Sequence, residues 1–323
     1  MVTWPPRSPP GLDAAFADVT AKQARSRALA AQVLGDAPGE RRDDAIDALR
    51  VLLQDREGQV RYFAAQSLGE LRAREALEDL VGTIEDGDGQ VRQAAVIALS
   101  EVGDGSVVPR LVEAVQDPSW ADVRFQAIAA LVQLAPEQAR PCALAALEDE
   151  DPEVRAQAAE ALGTLSDPGD DSAIGELLRV LGDGDERVRW AAALALGEKG
   201  SSAGADTLLA ALSDDDRLID AATVLGELGD ARAIEPLVRR VRRILGSPIL
   251  KVAAAAALHR LGVAEGRQFL LKVLGGRRWE AMGYAAQTCA ELGIREARPL
   301  LERLRQRPGP LDPREIDAAL ARL

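Results

Sequence analysis

The chain has 323 residues, 47% of them hydrophobic, with 39 Lys+Arg against 52 Asp+Glu and a net charge of −13. A single histidine and two cysteines exclude a disulfide framework and leave too few ligands for a transition-metal centre or a nucleophilic triad, so no cofactor, no metal and no catalytic residue is expected. No run of about 18 apolar residues is present to span a membrane, and Met1–Arg7 lacks the basic-then-apolar plan of a secretory signal, which leads us to expect a cytoplasmic protein.

Charge is segregated along the chain. Residues 231–323 carry 18 Lys+Arg against 9 Asp+Glu (+9), and residues 1–230 carry 21 against 43 (−22). Such asymmetry admits weak electrostatic self-association, the basic end of one copy against the acidic end of another.

In chain order, residues 1–11 are Pro-rich and expected to be extended or disordered. Residues 12–39 read as an N-terminal capping element, one long helix over 12–34 stopped at Gly35 and lying outside the repeat that follows. Residues 40–305 are the repeat, and residues 306–323 read as a C-terminal capping helix. The repeat is clearest at Val154-Arg155-Ala156-Gln157-Ala158-Ala159-Glu160-Ala161-Leu162-Gly163. Degenerate copies start at Val60, Val91, Val123, Val154, Val188, Arg217, Leu250 and Ala281, in steps of 29 to 34 residues. A period in that range marks an array of stacked supersecondary units.

Each unit reads as two helices. The first has apolar residues at three- and four-residue spacing, as in Ala45–Leu53. An acidic turn follows (Asp55, Asp86, Asp117-Pro118, Asp151-Pro152, Asp183, Asp214), where Asp suits a helix N-cap and Pro the first helical position. The second helix runs from the Val-Arg pair to a Leu-Gly pair, with Gly69, Gly163, Gly197 and Gly226 as candidate caps. Arg61, Arg92, Arg124, Arg155 and Arg189 are expected to bond the acidic turns of their own and neighbouring repeats, a structural ladder and not a catalytic one.

The acidic turn, Val-Arg, Ala-Ala and Leu-Gly together resemble the HEAT repeat family, most closely the bacterial phycocyanobilin-lyase-type HEAT-like repeats. The resemblance implies an all-α fold, a right-handed α-solenoid of about eight helix pairs capped at both ends, with second helices lining a concave side. Repeats six and eight depart from it, with Arg217-Leu218 and Ala281-Met282 where Val-Arg is expected, and local irregularity should follow there. Deoxyhypusine hydroxylases of HEAT-like fold hold iron on His-Glu pairs just after the Val-Arg position. Here those slots hold pairs such as Tyr62-Phe63, Ala156-Gln157 and Trp190-Ala191, and the lone His259 lies elsewhere.

On a wheel of about 100° per residue, Val60, Ala64, Leu68 and Leu71 form the core stripe and Tyr62, Phe63, Gln66 and Glu70 fall opposite. The same offsets in later repeats place Gln93, Glu101, Phe125, Gln126, Gln157, Trp190, Leu194, Glu198, Glu227, Tyr284 and Gln287 on the same surface. Five of the ten aromatics occupy two of these offsets, and exposed aromatics on a rigid groove are the usual anchors of an interface. The glutamates at its edge favour a basic partner. A protein-interaction scaffold binding a peptide or protein in that groove is therefore the leading expectation. A bilin lyase or chaperone-like subunit is the alternative that the family resemblance implies. Nucleic-acid binding through Arg239, Arg240, Arg242, Arg243, Lys251, Arg277 and Arg278 is another, opposed by the acidic remainder of the chain.

Overall fold

A computed structural model of the chain describes residues 11–102, 105–166, 171–306 and 309–323. The Pro-rich start, all but its last residue, and the Gly103-Asp104 turn lie outside the described residues. Among those described there is no strand. The helices fall into two compact units, Met1–Leu165 and Ser166–Leu323.

Unit 1 contains α1 (Leu12–Asp18), α2 (Ala24–Gly35), α3 (Arg42–Leu52), α4 (Gly58–Glu70), α5 (Leu77–Thr83), α6 (Gly89–Val102), α7 (Val108–Val115), α8 (Ala121–Leu134), α9 (Pro136–Ala146) and α10 (Pro152–Leu165). Even-numbered helices α2 to α10 pack side by side in one row, and each is covered on one side by the odd-numbered helix before it. Unit 2 repeats the plan with α11 (Asp171–Val180), α12 (Glu186–Glu198), α13 (Ala205–Ala211), α14 (Leu218–Leu228), α15 (Ile234–Arg242), α16 (Pro248–Arg260), α17 (Ala264–Leu274), α18 (Trp279–Glu291), α19 (Arg298–Gln306) and α20 (Pro313–Arg322). Its row runs α12, α14, α16, α18, α20. The fold is the all-α solenoid of helix pairs that the sequence implies.

The N-terminal element differs from expectation. It is two helices, interrupted at residues 19–23, and α2 joins the row against α4. The reason is visible in Arg27, which is 7% exposed and plays the part of the repeat arginine: its Nη2 donates to Asp55 at 2.8 Å and its Nη1 to the Ala21 carbonyl at 2.8 Å. Residues 12–35 thus form a degenerate repeat that lacks the Val-Arg signature.

The row is held tightly because its contact positions are small. Val60, Val91, Val123, Val154 and Val188 are fully buried, as are the alanine pairs Ala64-Ala65, Ala158-Ala159 and Ala192-Ala193 behind three of them. The Leu-Gly glycines are not caps. Gly69 and Gly226 lie within their helices, where a methyl group on Gly69 would fall 2.8 Å from Ala98 Cα and one on Gly226 3.2 Å from Ala257 Cα. They are the points at which one second helix touches the backbone of the next. The left-handed caps come three residues later, at Gly200 and Gly229, and at the corresponding position of α4 the residue is Arg72 with φ +49°. A side chain there costs about 1 kcal/mol that glycine would not.

The arginine ladder forms as expected in unit 1. Arg61 grips Asp86 with two bonds of 2.6 and 2.7 Å and donates a third to its own turn, at the Asp55 carbonyl. Arg124 does the same with Asp149, both at 2.7 Å, and with the Asp117 carbonyl. The gripped aspartates also cap: Asp86 accepts from the Asp88 amide and Asp149 from that of Asp151. Arg92 is the exception. Its Nη2 reaches Asp122 at 2.9 and 3.1 Å, its Cζ lies 3.7 Å from the centre of the Trp120 ring, and its Nε is buried without a hydrogen-bond partner. Arg155 and Arg189 donate to their own turns, at the Asp149 and Asp183 carbonyls. The irregularity expected at repeat six is present: Leu218 is buried in the arginine's slot, and Arg217 turns outward to Glu186.

Two substitutions three residues apart should act in opposite directions in urea unfolding. Gly69→Ala gains about 1 kcal/mol of helix propensity but collides with the Ala98 backbone and the Glu101 carboxylate, so a net loss of about 1–2 kcal/mol is expected. Arg72→Gly should raise stability by about 1 kcal/mol. Stabilisation by Gly69→Ala would contradict the close helix approach.

Candidate partner-binding surface

The side of each second-helix row not covered by first helices carries the side chains that the wheel singled out, in two tiers. Six and ten positions after the Val slot most residues are open: Gln66, Glu70, Ile97, Glu101, Gln133, Glu160 and Thr164 in unit 1 and Glu198, Glu227, Gln287 and Glu291 in unit 2 are exposed, whereas Ala129, Leu194 and Thr223 are half-buried and Ala256 is buried. Two and three positions after it they are recessed. Tyr62, Phe63, Gln93, Phe125, Gln126, Gln157, Trp190 and Tyr284 are all half-buried.

The expectation of exposed aromatic anchors is therefore corrected. Alanine contacts bring neighbouring second helices so close that a ring at the second or third offset lies in the seam between them. Tyr62 and Phe63 meet edge to face at 5.2 Å. Trp190 packs on the core of unit 2 with the Arg217 guanidinium 5.2 Å over its ring. Tyr284 packs on Leu218, Leu250 and Ala253, and its other side faces a cleft of about 460 Å³ between α18 and α20 that Gln287 and Leu311 also line. Ile97, 45% exposed, is the large apolar side chain that does stand open on this face of unit 1. The wheel places Ile97 on this surface, at the offset of Gln66, Glu160 and Leu194, although the aromatics and not Ile97 are singled out as anchors.

The glutamates form a distinct feature. Gln66 donates to Glu70 at 3.0 Å, and Gln287 to Glu291 at 2.8 Å, one turn apart in each case. Glu101 is exposed as a whole, yet one carboxylate oxygen is pressed into the notch that Gly69 leaves. Burial of that oxygen, with the like charge of Glu70 beside it, pushes the Glu101 carboxyl above the ordinary glutamate value; Arg72 opposes the shift. The aspartates of the ladder behave oppositely. Burial alone would raise Asp86 and Asp149, but the guanidinium bonds of Arg61 and Arg124, the capping amides and charge attraction hold both below the ordinary aspartate value.

The basic residues divide. Arg240 pairs with Asp215, Arg242 grips Glu265 with two bonds of 2.8 Å, and Arg239 lies 3.8 Å from Glu235. Lys251 donates to the Arg243 and Ile244 carbonyls, and Arg277 and Arg278 are exposed. The run Arg239–Arg243 is thus largely neutralised by its own surroundings, which weakens it as a phosphate-binding stripe. Cys142 and Cys289 are buried free thiols, and burial pushes Cys289 up to about 12. Burial, then Arg267, holds the half-buried His259 below the ordinary imidazole value. Among the described residues no His, Cys, Asp and Glu group could hold a metal ion, and no helix is long and apolar enough to cross a membrane.

Models of HEAT repeats match residues 17–100, 46–132, 78–149, 121–176, 142–222 and 176–243. The chain belongs to the HEAT repeat family. The first HEAT match begins inside α1, in keeping with the extra repeat around Arg27. A comparison of the sequence with curated proteins finds no match. Among solved structures this HEAT protein is similar to importin beta, at 16% identity and TM-score 0.54, over 96% of this chain and 52% of that one, so it spans about half of importin beta's length. It is similar to YibA of E. coli at 21% identity and TM-score 0.54, over 77% and 92% of the two chains. The complex of CpcE and CpcF of phycocyanin lyase from Nostoc sp. PCC7120 matches at 23% identity and TM-score 0.44, over 81% and 99%. These likenesses concern the fold.

Stability against pH separates the two kinds of carboxyl. The ladder aspartates, with folded values lowered, contribute stability that is present above the ordinary aspartate value of 3.8 and lost as pH falls through their folded values. Glu101, with its folded value raised, opposes folding when charged, and that opposition fades as pH falls toward its own titration. Urea unfolding should show Glu101→Gln more stable than the wild type at neutral pH, the difference closing in mild acid before the ladder fails. A difference independent of pH would contradict the assignment.

Proposed function

We propose that this HEAT repeat protein is a non-catalytic interaction scaffold that holds a basic peptide or protein segment on the open face of its second helices, with unit 1 as the principal site. The observation that supports this reading most is the juxtaposition of Ile97, open to solvent, with Glu70 and Glu101, neighbouring carboxylates of like sign whose mutual repulsion a cation would relieve. A lysine or arginine between the two, with its aliphatic stem or an adjacent apolar residue on Ile97, satisfies both features at once. The half-buried Tyr62–Phe63 pair and Phe125 give the floor rigidity and apolar area that a mobile surface would lack. The binding of RanGDP by Kap95p, to which this chain is similar at 15% identity and TM-score 0.56, is a protein-partner precedent on a similar fold and no more. The likeness to phycocyanin lyase is too low in TM-score to bring a bilin function to this chain.

Selection of a displayed random-peptide library on the purified protein tests the reading. Enriched peptides should carry Lys or Arg next to an aliphatic or aromatic residue. Their affinity should drop about tenfold with Ile97→Ser and about tenfold with Glu70→Gln plus Glu101→Gln, consistent with the loss of one apolar contact or one partly desolvated charge pair. It should also weaken as pH falls through the raised titration of Glu101. Enriched peptides that are acidic, or that bind all variants equally, would remove this face as the site.

A further inference from the structure

In the turns before α6, α10 and α12 two acids stand five and three residues before the Val slot, Asp86 and Asp88, Asp149 and Asp151, Asp183 and Asp185, while the turn before α8 holds Pro118 and Trp120 there and uses Asp117 and Asp122 instead. Late in unit 2 both positions lose their acids. Before α16 they hold Leu245 and Ser247, and before α18 they hold Gly276 and Arg278. Lys251 occupies the ladder arginine's slot directly after Leu250, and it does half of the arginine's work, donating to its own turn at the Arg243 and Ile244 carbonyls as Arg61 donates to that of Asp55. Where Arg61 goes on to meet Asp86, Lys251 meets positive charge. Burial first, then Arg278, Arg240 and Arg243, hold its ammonium below the ordinary lysine value. Among the described residues no carboxylate forms an ion pair with Arg243, Lys272, Arg277 or Arg278.

Lys251, Lys272, Arg277 and Arg278 line a cleft of about 250 Å³ whose floor includes Phe269 and Val273. Lys251 ties this cleft to the α15–α16 loop, which turns on Gly246 at φ +117° and projects Ile244, 94% exposed, and Leu245, 77% exposed. No other large apolar side chain among the described residues is as open as these two. An acidic protein surface would satisfy the cations, but two protruding aliphatic side chains beside them fit a partner that is anionic at its surface and apolar just beneath.

We propose that this surface of unit 2, around α16 and α17, docks on an anionic lipid bilayer. Lipid phosphate takes the place of the missing ladder carboxylates beside Lys251, Arg277 and Arg278, and Ile244 and Leu245 enter the headgroup–acyl boundary. Neither signal holds a protein on a membrane alone; apolar insertion and a polybasic surface together do. This surface is separate from the peptide-binding face of unit 1 and does not depend on it.

Co-sedimentation of the full chain with vesicles tests the proposal, using phosphatidylcholine alone and phosphatidylcholine mixed with phosphatidylglycerol. Binding is expected only to the mixed vesicles and should weaken as salt is raised. Arg277→Gln with Arg278→Gln should cut the partition coefficient about thirtyfold, from about 1 kcal/mol per cation near an anionic surface. Ile244→Ser with Leu245→Ser should cut it at least about tenfold. Both pairs are exposed, so unfolding transitions should stay at the wild-type midpoint. The proposal is overturned by equal binding to both vesicle types, by no binding to the mixed vesicles at low salt, or by indifference to either pair. It is also overturned if soluble glycerol phosphate or polyglutamate binds while the mixed vesicles do not.

Discussion

The grip of a repeat arginine on the next repeat's aspartate is the constraint from which the rest of unit 1 follows. Arg61 with Asp86, and Arg124 with Asp149, join one second helix to the turn that starts the next, while the third guanidinium bond holds the arginine to its own turn. The Arg124 and Asp149 side chains are 8% and 11% exposed, so removing either partner leaves a charge that water cannot fully solvate. The pair contributes less by net energy than by register. It fixes the rotation of each second helix about its axis, because its three bonds can be made together in only one rotation.

Fixed rotation is what turns a repeated sequence into a repeated surface. With the valine and its neighbouring alanines inward, offsets six and ten of unit 1 turn away from the core, and Gln66, Ile97 and Glu160 come to the same exposed side. The glycine of the Leu-Gly pair then sets how near the helices lie. Contact at the Ala98 backbone narrows the seam, swallows the aromatic rings and presses the Glu101 carboxylate into the Gly69 notch. Packing therefore shapes the electrostatics of the candidate site directly. Where the ladder changes, the surface changes too: Arg217 leaves its core slot and lies over Trp190, and the turns around α16 and α18 exchange aspartates for cations and aliphatic residues.

Much of this was legible in the sequence, and the failures share one cause. The period, the helix pairs and the roles of Arg61 and Arg124 follow from residue type and spacing, since a periodic Val-Arg behind an acidic turn has few other uses. Arg27 escaped notice because the residue before it is Ser26 and not valine, although the guanidinium does the same work. Gly69 was misread because glycine near a helix end usually caps it, and only the neighbouring helix shows that it is a contact point. The aromatics were misplaced because a helical wheel describes one helix in solvent. It cannot report how much of a flank a second, alanine-lined helix will cover.

A double-mutant cycle on Arg124 and Asp149 probes the register argument most directly. Arg124→Ala, Asp149→Ala and the double variant would be unfolded in urea at neutral pH. Each single change should cost about 3 kcal/mol or more, and the double variant should fall short of the sum by about 2 kcal/mol, the signature of two groups that act as one. Additive losses, with no coupling between the pair, would show that the ladder does not hold the second helices in place and would leave the shared surface without its cause.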